Sequence, residues 1–265
     1  MRVNYKLLIV LLLLGSVTLS GCALPVVKKL QARDYLNKGV TQFSQQKYSA
    51  AAQYFEKSVE KDPVFEIARM YLATAYMSQY MPGSMDPANV QVADRAIKTF
   101  EEVVANSTAA GQPNINAMLS IVSLYSLMKK FDESKDWCDR VLKVDPSNAE
   151  AYYRVAVMEY DQIIEKTGLQ GQHVKDLSEE EIKELQNMID EGLNYIANAL
   201  KTRGDYHEAM EYQNLLWREK AKLETDEKAK ADLIRQADMV ALESLKIRRK
   251  AQEEAAKRPK ATPRT

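Results

Sequence analysis

Two cysteines, two histidines, nine glycines and eight prolines are all that the 265 residues contain, and each shortage excludes something. At most one disulfide is available, so a disulfide-stapled scaffold is ruled out and packing must hold the fold. His173 and His207 stand in no metal-ligand spacing, and no His-Glu-x-x-His helix exists, so neither a metal nor a cofactor is expected. Glycine never gathers into a phosphate loop: Gly168-Leu169-Gln170-Gly171 lacks the following Lys-Ser/Thr and the preceding strand. No Gly-x-Ser-x-Gly elbow is present, and Glu179-Glu180-Glu181 suits a helix start rather than acid–base chemistry. The expectation is therefore a protein that is not an enzyme. Net charge is missing too, with 37 basic against 37 acidic residues, which argues against a nucleic-acid partner.

What is present begins with an apolar run. Arg2 and Lys6 precede Leu7 to Leu14, Gly15, Ser16 and Val17 to Leu19. A bilayer span takes roughly 20 apolar residues, and this stretch falls short, so residues 1–21 read as a signal peptide. Its loss would leave a net charge of −2. Leu19-Ser20-Gly21-Cys22 resembles the bacterial lipobox. The resemblance implies cleavage before Cys22, a diacylglycerol on its thiol and fatty acylation, palmitate for instance, at its amine. Each buried methylene contributes roughly 0.8 kcal/mol, so two or three chains anchor stably where one does not. Ala23, standing where Asp would signal inner-membrane retention, implies the outer membrane, facing the periplasm, or the cell-surface membrane where no outer membrane exists. Residues 22–30 are then a lipidated N-terminus and short linker. Cys138 is left as the last thiol, and its place between Trp137 and Val141 in a helical pattern makes it a small buried hydrophobe.

Beyond the signal, strand-like alternation is absent and the prolines fall at breaks. Ser147-Asn148-Ala149-Glu150 and Ser178-Glu179-Glu180-Glu181 fit the capping box, and Asp86-Pro87 places an N-cap before a first-turn proline. Two segments align with each other: Tyr35, Gly39, Tyr48, Ala51, Phe55 and Pro63, then Met118, Ile121, Val122, Tyr125, Phe131, Ser134, Cys138, Val141 and Pro146. The first ends in Glu60-Lys61-Asp62-Pro63 and the second in Lys143-Val144-Asp145-Pro146. This pattern resembles the tetratricopeptide (TPR) repeat. Leu72, Ala73, Tyr76, Ala96, Phe100 and Val103 supply another repeat around an insertion at about 79–92. A fourth starts at Ala149 with Val155 and Ala156, and resumes at Gly192, Ile196 and Ala199 behind an insertion at about 166–180. The resemblance implies an all-α solenoid of antiparallel helix pairs with a right-handed superhelix, spanning 31–225. Small residues permit close helix approach and rings fill between pairs; about three repeats are needed for stability. The pairing within 181–224 stays open. Residues 206–223 and 227–250 form a last pair, with Leu233, Ala237, Val240, Ser244 and Ile247 on one face and 226–250 acting as cap. Residues 251–265 read as a basic disordered tail; from Lys246 onward the net charge is +6. The stretch Asn214 to Lys220 with its Ala-rich following helix resembles an uncharacterised subfamily of bacterial TPR lipoproteins, from which no role carries over.

In TPR proteins the first helix of each repeat lines a concave face. Carried onto this chain, those positions are Leu36, Val40 and Phe43; Ile67, Met70, Thr74 and Met77; Leu119, Ser123 and Leu127; and Tyr153, Val157, Tyr160 and Asp161. Adaptable Met and rigid Tyr suit an amphipathic helix or an extended apolar segment. Only Arg33 is basic among the positions where chaperone-binding TPRs carry Lys, Arg and Asn, so a carboxylate clamp is not expected. The expected role is a membrane-anchored scaffold or adaptor for envelope protein partners. The alternative is a small-ligand or glycan-binding lipoprotein using the insertions, with Tyr80 and His173 contributing. Occupation of the groove by the chain's own insertions or last helix stays open, as does the oligomeric state.

Overall fold

A computed structural model describes residues 5–257, with side chains from residue 25 onward. Among the described residues there are ten α-helices, one short 3-10 turn and no strand. The chain divides into two compact units, Met1–Met128 and Lys129–Thr265. No helix among the described residues is long and apolar enough to cross a membrane.

The first unit holds α1 (Tyr5–Ser44), α2 (Tyr48–Lys61), α3 (Glu66–Met77), α4 (Pro87–Ala109) and α5 (Ile115–Leu127), each packed on the next. The α1–α2 contact depends on size. A Cβ on Gly39 would stand 2.3 Å from the ring of Phe55, which is fully buried, so that ring lies where a side chain would otherwise project. Ala51, Ala52, Ala68 and Ala73 keep the neighbouring approaches close, and buried Ser58 satisfies its hydroxyl by donating to the Ala32 carbonyl at 2.7 Å. As the Asp-Pro signal predicts, Asp86 caps α4 by accepting from the Ala88 amide at 2.9 Å, with Pro87 in the first turn. The insertion after α3 therefore ends at Asp86, and 87–92 are already helical. Asn89, buried, pins it: its amide donates to the carbonyls of Met81 and Ser84, and its oxygen accepts from the Met81 amide at 2.8 Å.

The second unit holds α6 (Phe131–Val144), α7 (Ala149–Thr167), the turn Val174–Asp176, α8 (Glu179–Thr202), α9 (His207–Leu223) and α10 (Glu227–Lys257). The pairing left open by the sequence resolves as α7 with α8 and α9 with α10. Ile163, Leu185, Ile189, Ile196 and Leu216 are fully buried between them. At Ser178 the capping box is present in both directions. At α7 the expected box is corrected: Asn148, not Ser147, is the cap and accepts from the Ala151 amide at 3.0 Å. Ser147 instead donates its hydroxyl to Asp145 at 2.7 Å, since the Asp-Pro turn offers it a nearer carboxylate. Gly168 ends α7 with φ +75, a conformation that favours glycine. On α10 the predicted stripe faces α9, with Ala237 and Ser244 buried and the Ser244 hydroxyl donating to the His207 carbonyl at 3.0 Å. The helix continues past 250 to Lys257, because Ala-Gln-Glu-Glu-Ala-Ala-Lys consists of strong helix formers. The remainder of the expected tail lies outside the described residues.

Charge is buried in this unit. Lys135 of α6 bridges Glu159 of α7 at 3.3 Å and Glu191 of α8 at 2.6 Å, with the Glu159 side chain only 7% exposed. Glu219 of α9, also buried, accepts from Thr167 at 3.2 Å and from Lys222 at 2.6 Å. Lys222 also donates to the Leu169 carbonyl at 2.9 Å, which ties the second insertion to α9.

Candidate partner-binding groove

Leu36, Val40, Phe43, Met70, Thr74, Met77, Leu119, Ser123, Tyr153, Val157 and Tyr160 are all half-buried, while Ile67, Leu127 and Asp161 are exposed. In the first unit the Phe43 ring meets Tyr71 at 6.5 Å and Tyr48 at 5.1 Å, both edge-on, and Tyr71 stacks on Phe55 at 5.4 Å. The two hydroxyl positions turn inward on their own helices: Thr74 donates to the Met70 carbonyl at 2.8 Å and Ser123 to the Leu119 carbonyl at 2.9 Å. Their polar capacity is thereby largely spent, and this face offers mainly hydrocarbon and sulfur.

The second unit presents aromatic surface. Tyr153 and Tyr160 lie two turns apart on α7, and Tyr212 of α9 stands between them, 5.5 Å from each ring and at 83° and 88°. Tyr206 continues the row at 5.0 Å from Tyr153 and donates its hydroxyl to Glu150 at 2.5 Å, with the Arg203 guanidinium over its face. Burial pushes the Tyr153 hydroxyl up to about 12, helped by Tyr212, Glu150 and Glu208. Burial raises Tyr160 and Tyr212 as well, and Asp161 adds to both. Asp161 is itself raised, chiefly by desolvation and then by Glu165, against the opposing pull of Lys129. These tyrosines therefore stay protonated donors around a carboxylate that neighbouring side chains partly desolvate.

Tyr212 is the residue that sequence reasoning missed. It belongs to a different helix pair, and its only signal was the unresolved pairing within 181–224. The rings that Tyr153 and Tyr160 meet come from α9, whereas α10 packs on α9 and the second insertion is tied to Lys222. Cys138 is buried and free, and burial pushes its thiol up to about 12, which fits the inert hydrophobe expected. Cys22 lies in α1, but its side chain, like those of residues 5–21, is not among those described, and residues 1–4 lie outside the described residues.

In the insertions, Tyr80 is half-buried and His173 is exposed. A cavity of about 370 Å³ does open beside the second one, lined by Gln170, Gly171, Arg218, Ala221, Lys222, Lys230 and Ile234. Among the described residues, no group of three His, Cys, Asp or Glu side chains is placed to hold a metal.

Helices packed pair on pair, with Gly39 opposite the Phe55 ring and Gly192 opposite Leu216, define a helical-repeat architecture. The tetratricopeptide repeat family matches residues 32–65 and 115–148. Those two segments, about a quarter of the chain, are tetratricopeptide repeats. Among solved structures, a crystal structure of MamA is 14% identical, with a TM-score of 0.54 over 88% of this chain and 98% of that one. MamA from residue 41 to its end, from Desulfovibrio magneticus RS-1, is 13% identical, with a TM-score of 0.53 over 83% and 96%. At such identities the likeness shows the fold alone. No curated protein matches the chain.

Proposed function

We propose that the chain is a lipid-anchored scaffold of the bacterial envelope that binds protein partners through the first-helix faces of its repeats. The observation that carries the reading is the row Tyr153–Tyr212–Tyr160, rigid aromatic surface left half-buried on two successive first helices. Tyrosine gives contact area at low cost in side-chain entropy, which suits recognition of an amphipathic helix or extended segment. The lipobox-like Leu19-Ser20-Gly21-Cys22 supports the anchor. A tether at one surface raises the effective concentration of partners there, so individual contacts need not be strong. The outer membrane, facing the periplasm, follows from Ala23 after the cysteine. A photoreactive residue at Tyr153 or Met77 is expected to crosslink an envelope protein in cells; crosslinks to lipid and solvent alone would refute the groove. Intact mass of the membrane-extracted chain tests the anchor, since an unacylated position 22 is incompatible with it.

The cavity beside the second insertion favours one alternative, a small-ligand lipoprotein. A specific ligand would raise the melting temperature by mass action, and mutation at Gly171 would abolish the shift. A shift that survives Gly171→Val would sink this second reading.

A further inference from the structure

We propose that the exposed face of α1 just after Cys22 lies against the acidic lipid headgroups of the bilayer that holds the anchor, with Val26, Val27 and Leu30 entering the interface and Lys29 and Arg33 pairing with lipid phosphate. This rests on the lipid-anchored reading above and adds to it a second, noncovalent contact with the membrane.

Packing settles which side of α1 is available. Ala32 is fully buried and its carbonyl accepts from the Ser58 hydroxyl of α2 at 2.7 Å, so that side belongs to the repeat. Successive residues turn by about 100° on an α-helix, which puts Val26, Val27 and Leu30 within one arc on the side away from Ala32. They are 58%, 47% and 59% exposed, so the repeat leaves these large apolar side chains mostly to solvent. The charge beside them is of one sign. Lys28, Lys29 and Arg33 are exposed, none of them makes a hydrogen bond or ion pair among the described residues, and no acidic residue occurs from Ala23 to Arg33. Lys29 and Arg33, one turn apart, border the apolar arc on one side, where their stems can lie along it while the charges reach phosphate. Asp34, the first acid, is compensated by Lys38 at 2.7 Å. The tether makes the bilayer the occupant. Val26 follows Cys22 by four residues, a span of about 14 Å even when fully extended, so an acylated Cys22 keeps this face at the headgroups. An interfacial helix buries its apolar face about 5–10 Å into that boundary, a depth that valine and leucine on the lipid-facing side satisfy.

Fluorophores on single introduced cysteines test this, in the acylated full-length chain reconstituted into vesicles of phosphatidylethanolamine and phosphatidylglycerol. Cys138 is buried and acylation occupies Cys22, so an introduced cysteine is the one that labels. Leu30→Cys lies in the apolar arc, whereas Lys28→Cys is nearer the anchor along the chain but faces away from the arc; both positions are exposed, so neither change removes a packing contact. Quenching by lipid spin-labelled near its headgroup is expected to be about three times stronger at Leu30 than at Lys28. Lys29→Gln with Arg33→Gln, or phosphatidylcholine in place of phosphatidylglycerol, is expected to remove most of that difference. A difference that survives both changes would overturn the pairing with phosphate. Equal quenching at the two positions in an acylated chain would overturn the inference and leave the anchor intact. A Leu30 label shielded from both lipid and water-borne quenchers would also overturn it, because a protein or a second copy then covers the face. A chain whose mass shows no acylation and which leaves the vesicles would overturn the anchor and the inference together.

Discussion

In the first unit the tightest helix approach sets Gly39 against the ring of Phe55; in the second, Gly192 faces Leu216 and the Cβ of Glu159, a charged residue. Both contacts use the absence of a side chain to bring helices together, but different chemistry fills the remaining space. The first unit closes mainly with rings and alanines, its buried Ser58 donating to the Ala32 carbonyl of α1 and its buried Arg69 pairing with the half-exposed Glu102 of α4 at 3.2 Å. The second buries Glu159 and Glu219 and must neutralise them, Glu159 with Lys135 from α6 and Glu219 with Lys222 one turn along its own helix. One repeat architecture therefore tolerates two interiors, one governed by volume and the other by charge balance. The half-buried faces differ in parallel: Met70, Thr74 and Met77 offer hydrocarbon and sulfur, whereas Tyr153 and Tyr160 offer rings.

That contrast can be broken from the volume side first. Phe55→Ala removes a fully buried ring and should cost about 3–5 kcal/mol, measured by urea denaturation. Gly39→Ala should cost less, about 1–3 kcal/mol, because the ring can shift only at the expense of its neighbours. A neutral result for either would show that this contact is looser than the volume reading requires. From the charge side, Lys135→Met should cost about 1–2 kcal/mol, a figure reduced because Lys135 is about a third exposed and Glu191 takes part of its charge. Its pH dependence carries the sign. Burial raises the Glu159 carboxyl in the folded state, so the fold binds that proton before the unfolded chain does, and stability from this group rises as pH falls through the raised range. Losing Lys135 raises it further, so the deficit of the variant should shrink on acidification; a deficit independent of pH would mean that Glu159 is not the group exposed by the change. The first unit offers no such buried pair at Gly39, and Gly39→Ala should show no matching trend.

Smaller effects sharpen the comparison of the faces. Tyr212→Phe keeps the ring and should alter peptide affinity by less than about 0.5 kcal/mol in isothermal titration, whereas Tyr212→Leu should lose more.

Much of the repeat could be read from residue spacing because its requirements are local. Gly39 and Phe55, Asp86-Pro87, and Ser178 with Glu181 each announce a contact or a cap within a short stretch of chain. The cap at α7 was misplaced by one residue because Ser147 and Asn148 are both good acceptors, and Asp145 engages the serine. Glu159 falls on the apolar face of α7 with Val155, Ala156 and Ile163, and only the arrival of Lys135 from another helix makes its burial tolerable. Tyr212 was invisible as a groove residue for the same reason.

The order of helices, their caps and the glycine or alanine at each close crossing were set by the chain itself, since backbone capping and steric fit depend on neighbours a few residues away. Which helices pair within 181–224, and which buried carboxylates find a cation, were decided only when distant segments came together. Electrostatic balance and ring contacts depend on separations in space, and separation along the chain does not encode them.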